Sequence, residues 1–543
     1  MRKSNFSWIS IAGPFVTLTL SFGWTDDFNS FKLLSLGLVA GLALSVILIK
    51  FSESLKVVLS PSFFVAAIFT SSLLLPIFFS NSPLVQQIYG VYGRNLGFLH
   101  YLFLTLIFIG TSFSAGKLVF RQVIISITCL GVFEAVYGLL QFIGLDPIPW
   151  QNPDKWVFGT FGNPNYLSSF LALSTITTLY LLISKKAFRA KLVFLAIAIL
   201  QLTTILMSAS TQGLFLLVFG FFAFFVNKSF SYSKTLGSAS IICGLFAAAI
   251  GVLGIFQHGP LERFIYQDSI SYRGDYWRAG IKMFQSNWLH GVGLDSFGDF
   301  YRMYRDATAA NRRGLSMVSN SAHNLFIDLS ATGGIFVLLS YLLILGLVLL
   351  SIIRKFRDSS EMPLEYKVLV ILWLAFNLQT IISINVPSLA IWGWIFSGLI
   401  VSYDHTYGLN SKIGKRQIGR NRNRQFLVNS ACCIICISIV IPLVTRDIKF
   451  SQSLSKNDIP EISKTVIEFP SDSDQAAGIA LAFGKLGHNK EALMLAEQVV
   501  EANMNSTRAW QGIYNNPFSN DEKKAQARLA LIRLDPFFAA TLD

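Results

Sequence analysis

Long apolar stretches separated by short polar segments dominate the first 444 residues of the chain. A helix crosses a hydrocarbon core of about 30 Å when it holds roughly 20 mostly apolar residues. The pattern therefore predicts an all-α polytopic membrane protein with about 13 transmembrane helices. The predicted spans are residues 7–24, 30–49, 61–80, 96–115, 119–143, 164–183, 192–208, 211–226, 236–256, 322–350, 367–386, 388–403 and 426–444.

One polar segment is much longer than the other connections between the predicted spans. It covers about residues 258–321, is rich in arginine, and closes on the sequence S-N-S-A-H-N at the start of the next apolar stretch. Long connections that carry many ionisable groups beside a membrane are usually functional. We expect a working site in this loop.

Composition agrees with a membrane protein and gives its orientation. The 543 residues are 53% hydrophobic and 14% charged, with a mean hydropathy of +0.54, which is too apolar for a soluble fold. Basic side chains concentrate in alternate short loops, and such loops are cytoplasmic. We predict a cytoplasmic amino terminus, with segments 81–95, 144–163 and 258–321 and the carboxyl-terminal region outside. The cytoplasmic basic residues are Arg2, Lys3, Lys50, Lys56, Lys117, Arg121, Lys185, Lys186, Arg189, Lys191, Lys228, Lys234, Arg354, Lys355, Arg357, Lys367, Lys412, Lys415, Arg416, Arg420, Arg422 and Arg424.

The net charge of +14 follows mostly from this topology. No soluble basic domain with interleaved aromatic residues accompanies it, so we expect no nucleic-acid partner. Cysteines are absent from the predicted external parts, which argues against a disulfide framework or a zinc site.

From about residue 445 the composition becomes that of a soluble domain. Apolar residues recur at helical spacing over 486–500 and 521–534. The segment resembles one and a half to two tetratricopeptide units, fewer than such repeats need to stand alone. We predict a membrane domain over residues 1–444 and an external helical domain over 445–543 that leans on the membrane domain or on a protein partner. A plain helical tail is the alternative.

Two residues of the long loop have a pattern that favours chemistry. Arg273 opens a segment in which Trp277, Ile281 and Phe284 form an apolar stripe at helical spacing, which predicts a half-buried surface helix. A guanidinium group there suits the binding of phosphate oxygens at a membrane surface. His323 stands at the start of an apolar helix, where a neutral imidazole can accept a proton from a hydroxyl group. The alternatives are a loop salt bridge for the arginine and a structural role for the histidine.

Candidate metal ligands are few, and we expect neither a metal ion nor a cofactor. Asp26 and Asp27 form the only paired carboxylates on a predicted outer membrane lip, and they leave open a metal-using membrane enzyme of another type. Glu134 is the only clear charge inside a predicted span, and it is a candidate for function by that position alone.

Several motifs together resemble the O-antigen ligase and O-antigen polymerase family. They are N-W-L-H-G-V-G-L-D-S-F-G-D-F-Y from Asn287, S-A-H-N-L-F-I-D-L-S-A-T-G-G-I-F from Ser321, Y-G-R-N-L-G-F-L-H-Y-L from Tyr92 and F-G-T-F-G-N-P-N-Y-L from Phe158. The resemblance covers most of residues 85–400. It implies a multi-pass glycosyltransferase of the bacterial plasma membrane. Such enzymes take a glycan from undecaprenyl pyrophosphate at the outer face and invert the anomeric centre without a metal ion.

The resemblance also implies roles for individual residues. His323 matches the family histidine that activates or orients the acceptor hydroxyl, and Arg273 matches an arginine that contacts the pyrophosphate. A second family arginine is replaced here by Gln212, in the element S-A-S-T-Q-G. Glutamine brings no charge, so Arg94 or Arg278 is expected to compensate. The predicted catalytic residues are His323 and Arg273, and the predicted substrate-binding residues are Arg94, Arg278, Gln212 and Asn324.

The acceptor is not specified by these residues. It is a carrier-linked repeat, a lipid core, a cell-wall polymer or a protein hydroxyl, the last making the chain a protein O-oligosaccharyltransferase. A transporter or flippase of lipid-linked glycans is the rival from another class, although it would be expected to show internal repeats and more charges in its spans. The third alternative is that the chain is a non-catalytic assembly protein.

Overall fold

A computed structural model describes residues 7–21, 25–26, 28–53, 60–114, 117–150, 152, 154–255, 268–358, 362–409 and 422–540 of the chain. Over these residues the chain is all α-helical, as predicted. The helices of the first half are α1 Trp8–Leu18, α2 Asn29–Glu53, α3 Pro61–Ser72, α4 Leu74–Phe79, α5 Leu84–Tyr89, α6 Phe98–Ser112, α7 Lys117–Phe142, α8 Pro164–Ser184, α9 Phe188–Met207, α10 Thr211–Tyr232 and α11 Lys234–Ile255. Those of the second half are α12 Asp268–Ser286, α13 Phe297–Tyr304, α14 Ala307–Arg313, α15 Leu325–Arg357, α16 Leu364–Thr380, α17 Pro387–Leu409, α18 Arg422–Lys456, α19 Ile459–Val466, α20 Ser473–Lys485, α21 Asn489–Ala502, α22 Thr507–Asn515, α23 Asp521–Leu534 and α24 Pro536–Ala539.

Within the described ranges, nine helices are long and apolar enough to cross a membrane, and three shorter helices are also apolar. Each predicted span overlaps a helix, which confirms a polytopic membrane protein; the count of about 13 spans stays a prediction. Some predictions lie outside the described residues. These are Arg2, Lys3, Asp27, Lys56, the first part of the external loop (258–267), Lys412, Lys415, Arg416 and Arg420.

The membrane bundle is centred on α2 and α6, which pack against each other and against α18 and α17 respectively. Its interior is filled by aromatic side chains: the Phe69 ring lies 5.8 Å from that of Trp394 and 6.0 Å from that of Tyr341. Large apolar side chains such as Phe221 and Phe246 remain exposed on the outer helices. This is the expected pattern for helices that face lipid rather than water.

The bundle interior holds more charge than the sequence predicted. Lys32 of α2 is fully buried and donates a hydrogen bond of 2.5 Å to the carbonyl oxygen of Thr160. Glu134 of α7 accepts hydrogen bonds from the amide and the hydroxyl group of the same threonine. The prediction of Glu134 as the only clear charge in a span was therefore wrong. Lys32 lies within the predicted span 30–49, near its start, and is buried among the helices. Asp26 is used as a cap, accepting from the amides of Phe28, Asn29 and Ser30 at the start of α2.

The long polar loop is largely helical where it is described. Residues 268–324, here called the cap, contain α12, α13 and α14 between the last helix before them and α15. The apolar side of α12 buries Tyr276, Ala279 and Met283 against Phe297 and Tyr301. A half-buried surface helix around Arg273 was expected, and the additional short helices were not.

The carboxyl-terminal region does not begin at a linker. Helix α18 continues through the predicted boundary at 444 as far as Lys456, and residues 457–540, here called the tail, follow as short packed helices. The tail rests on the cap and on the loop before α6. The contacts are Arg305 to Asp535 at 2.8 Å, Asn503 to Asp299 at 3.2 Å, and the Tyr92 amide to Asp472 at 2.8 Å. The tetratricopeptide resemblance stays a prediction.

Candidate functional site

A break in α15 brings the two most distinctive motifs of the chain together. Gly334 has φ +78° and ψ −173°, so the helix is interrupted there. The amides of Val292 and Gly293 donate to the carbonyl oxygens of Ala331 and Thr332 at 2.9 and 3.0 Å, and the Ile335 amide donates to the Trp288 carbonyl at 2.8 Å. Backbone groups freed by the break are thus satisfied by the G-V-G-L segment, as a break at membrane depth requires.

The two glycines of this contact have steric reasons to be there. A Cβ on Gly291 would lie 2.3 Å from the carbonyl carbon of Thr332, and one on Gly334 would lie 2.5 Å from the oxygen of Leu289. Both also have positive φ, which L-residues with a side chain rarely adopt. The motif therefore fixes the amino-terminal segment of α15, residues 325–333, against the cap, and this is called the outer segment after the predicted orientation.

His323 lies at the start of that outer segment. Its backbone is left-handed, with φ +52°, and its amide donates to Ser321 Oγ at 2.9 Å. Asp328 secures the turn by accepting from Ser321 Oγ at 2.6 Å and from the Ala322 amide at 2.7 Å. Asn324 is the N-cap of α15, accepting from the amides of Phe326 and Ile327. The imidazole is thus presented by a fixed turn at a helix amino terminus.

Helix α12 supplies the neighbours of the imidazole. The Tyr276 ring stacks on the His323 ring, with centroids 5.6 Å apart and planes at 28°. Arg273 lies one helical turn before Tyr276 and is half-buried. Burial lowers the pKa of Arg273, while Tyr276 and Tyr166 act in the opposite direction. Among the described side chains no carboxylate is paired with Arg273.

Arg94 reaches the site from the loop between α5 and α6. Its guanidinium group is paired with Asp295 and also donates to the carbonyl oxygen of Asn320. Asp295 in turn accepts from the amides of Val91 and Leu96 at 2.7 and 3.2 Å. Burial raises the pKa of Asp295, and Arg94 and the two amides oppose that rise. The aspartate of G-V-G-L-D-S therefore holds both the loop and the arginine.

Tyr166, in the first turn of α8, marks where these groups converge. Its hydroxyl interacts electrostatically with Arg94, Arg273 and Asp328. Both arginines therefore lie within electrostatic range of one hydroxyl group, at the end of the bundle that is predicted to be external. The structure brings together Arg94, Arg273 and His323, supported by Tyr166 and Tyr276.

Two other predicted residues have different surroundings. Arg278 bridges Asp275 at 2.5 Å and Asp306 at 2.7 Å, and its side chain is 47% exposed. Gln212 is buried, and neither atom of its amide has a hydrogen-bond partner among the described groups. It lies beside the start of α8, because Ser210 donates to Asn165 at 2.8 Å and Gly213 packs on Ser168. The neighbours of Gln212 in the chain thus contact the helix that carries Tyr166.

The sequence missed Tyr276, Tyr166 and Asp295. Tyr166 and Asp295 lie within quoted motifs and Tyr276 lies in the segment that Arg273 opens, but a tyrosine among aromatic residues or an aspartate after a glycine turn has no distinguishing spacing. No group of three or more His, Cys, Asp or Glu side chains in the described part of the chain could hold a metal ion.

Comparison with protein families gives one match. The family described as O-antigen ligase matches residues 196–342, the stretch that holds Gln212, α12, His323 and the break in α15. The family resemblance expected from the motifs is confirmed over this stretch, which is less than half of the chain. No curated protein matches the chain.

Proposed function

We propose that this membrane protein of the O-antigen ligase and polymerase family is an inverting glycosyltransferase that uses an undecaprenyl-pyrophosphate-linked glycan. It transfers or polymerises that glycan onto an acceptor hydroxyl at the outer face of the bacterial plasma membrane. The observation that carries the proposal is the convergence of Arg94 and Arg273 on Tyr166, beside the His323 imidazole.

The arginines are suited to the leaving group. When the bond from the anomeric carbon to the pyrophosphate oxygen breaks, negative charge grows on that oxygen. Pre-placed guanidinium groups in a partly dehydrated site stabilise such charge strongly. No carboxylate in the described structure is paired with Arg273, so its positive charge is available to an anion. Arg94 is held in place by Asp295 and contributes a second, partly neutralised cation.

His323 is suited to the acceptor. Its imidazole accepts the hydroxyl proton while the acceptor oxygen bonds to the anomeric carbon from the face opposite the leaving group. A single displacement of this kind inverts the centre and consumes no metal ion or cofactor. Positioned proton transfer of this type contributes roughly 10²–10⁴-fold to a rate.

Substitution of His323 tests the proposal. His323→Asn is the sharpest variant, because asparagine tolerates the left-handed backbone at this position but cannot take up the proton. We expect purified His323→Asn protein, incubated with carrier-linked oligosaccharide and candidate acceptors, to lose transfer by roughly 10²–10⁴-fold. His488→Ala in the tail is the matched control and should behave as the unchanged chain.

The product identifies the acceptor. Lengthened carrier-linked chains indicate a polymerase, a lipid conjugate indicates a ligase, and a glycosylated protein indicates an oligosaccharyltransferase. Normal turnover by His323→Asn would contradict the catalytic role and would favour transport or assembly.

A further inference from the structure

A cavity of about 290 Å³ lies between the cap and the tail, next to the candidate site. The cap contributes Arg302 and Asn320, and the tail contributes Thr507 and Arg508. Its size is close to the lower end of the range for small-molecule sites, roughly 300–1,000 Å³. Because both regions line it, the cavity exists only while the tail is docked.

The cavity wall contains a buried cation that its protein partners do not satisfy. The Arg302 side chain is 8% exposed; its Nη2 donates to the Ser316 carbonyl at 2.8 Å and its Nη1 lies 3.6 Å from Asp535. Nε and Nη1 have no hydrogen-bond partner in the described structure. Buried donors are nearly always paired in folded proteins, so Arg302 retains hydrogen-bonding capacity toward a ligand of the cavity that it lines.

The remaining polar groups favour an uncharged, hydroxyl-rich ligand. Arg508 is already paired with Asp474 at 2.9 Å. Asp299 accepts from Gln86 at 2.9 Å and from Asn503 at 3.2 Å, and burial raises its pKa to about 7, so its carboxyl group both donates and accepts near neutral pH. Acids and bases are balanced on the wall, which disfavours a highly charged ligand such as a nucleotide.

The position of the cavity links it to transfer chemistry. The carbonyl oxygen of Asn320, a lining residue, accepts from Arg94, and Val91 lines the cavity in the same loop as Arg94. Asn320 is also three residues before His323 in the chain. The cavity and the candidate site therefore share two segments of the chain, those that carry Arg94 and His323.

We propose that this cavity binds a sugar unit of a glycan chain, with Arg302 and Asp299 as hydrogen-bonding partners of its hydroxyl groups. The tail would then form half of a glycan-binding site. This inference rests on the proposed function for the identity of the ligand. The glycan is either the distal part of the carrier-linked donor or part of the acceptor.

Binding of a free glycan tests the inference without requiring turnover. The probe is the oligosaccharide released from the source organism's lipid-linked glycan, titrated into the purified full-length protein in detergent and followed by saturation-transfer NMR. Ser316→Trp fills the cavity from an exposed rim position, and Thr507→Trp fills it from the buried tail side. Ala482→Trp, at an exposed position of α20 that does not line the cavity, is the matched control.

We expect binding to weaken at least tenfold in Ser316→Trp and Thr507→Trp and to stay unchanged in Ala482→Trp. Unchanged binding in Ser316→Trp overturns the inference, even if Thr507→Trp fails to fold. Loss of binding in the cavity variants together with normal turnover by His323→Asn would retain the sugar site and reject the catalytic proposal. A raised KM for the donor or for the acceptor identifies which glycan occupies the cavity.

Discussion

Arginines occupy two neighbouring parts of the cap in opposite chemical settings. At the contact with the tail, Arg302 and Arg305 flank Asp535, whose side chain is completely buried. On α12, Arg273 interacts electrostatically with Tyr276 and Tyr166 and has no carboxylate partner in the described structure. Arginine thus joins the cap to the tail at Asp535, whereas on α12 it leaves a positive charge available.

The difference shows that arginine content alone does not locate an anion site. A guanidinium group suits both buried ion pairs and phosphate recognition. The partner decides between them: a buried carboxylate neutralises the cation, whereas an aromatic partner leaves its charge for an incoming anion. The predictions below test this distinction, beginning with the largest expected effect.

Removal of the shared carboxylate should have the largest effect on stability. Asp535→Ala leaves Arg302 and Arg305 buried without a counter-charge, which costs roughly 3–5 kcal/mol when one partner of a buried pair is lost. We expect the tail to undock, which limited proteolysis and thermal unfolding would detect. Glu501→Ala, at an exposed tail position, is the control. An unchanged melting temperature for Asp535→Ala would show that the tail is held by other contacts.

Arg273 should affect activity and leave stability nearly unchanged. Loss of one charge-stabilising donor typically costs about 10²–10³-fold in kcat, and we expect a loss of that size for Arg273→Ala in the transfer assay. Arg278→Ala on the same helix is the matched control, because the Arg278 side chain is 47% exposed and Arg312 still pairs with the buried Asp275 after the change. Equal activity losses in Arg273→Ala and Arg278→Ala would contradict the distinction between an available and a neutralised arginine.

The break in α15 should tolerate no side chain at Gly334. Gly334→Ala forces a positive φ on alanine, at about 1–2 kcal/mol, and brings a Cβ to 2.5 Å from the Leu289 oxygen. We expect reduced activity because the turn that carries His323 moves. Gly346→Ala, which meets open space in the same helix, is the control. Wild-type activity of Gly334→Ala would show that the break does not position His323.

The smallest expected effect is a pH dependence of tail docking. Burial raises the pKa of Asp299 from 3.8 to about 7. In the folded protein Asp299 therefore keeps a proton that the unfolded chain releases above about pH 4. The contribution of this carboxyl group to folding stability is complete below pH 4 and is lost as the pH rises through about 7.

Asp299→Asn should abolish that dependence. Unfolding between pH 5 and 8 should show a smaller decline in stability for Asp299→Asn than for the unchanged chain, with the variant more stable at pH 8. Parallel pH profiles for the two proteins would contradict the assignment to Asp299.

The sequence by itself determined the membrane fold, the family and the central pair of candidate site residues, Arg273 and His323. Apolar runs of spanning length leave helices as the only way to satisfy backbone groups in lipid, so the polytopic helical fold follows from hydrophobicity. The motifs around Gly291 and His323 identified the family, since glycine and histidine in such patterns are distinctive. The half-buried helix at Arg273 followed from its apolar period.

Only the tertiary structure decided which cations are neutralised and which are not. Arg94 meets Asp295 across about 200 residues of sequence, Arg305 meets Asp535 across 230, and Tyr166 meets both site arginines from a third segment. No local period encodes such contacts, because ion pairing depends on distances between side chains that helix packing sets. The cavity beneath the tail has the same origin, since neither of its walls is concave until the two regions meet.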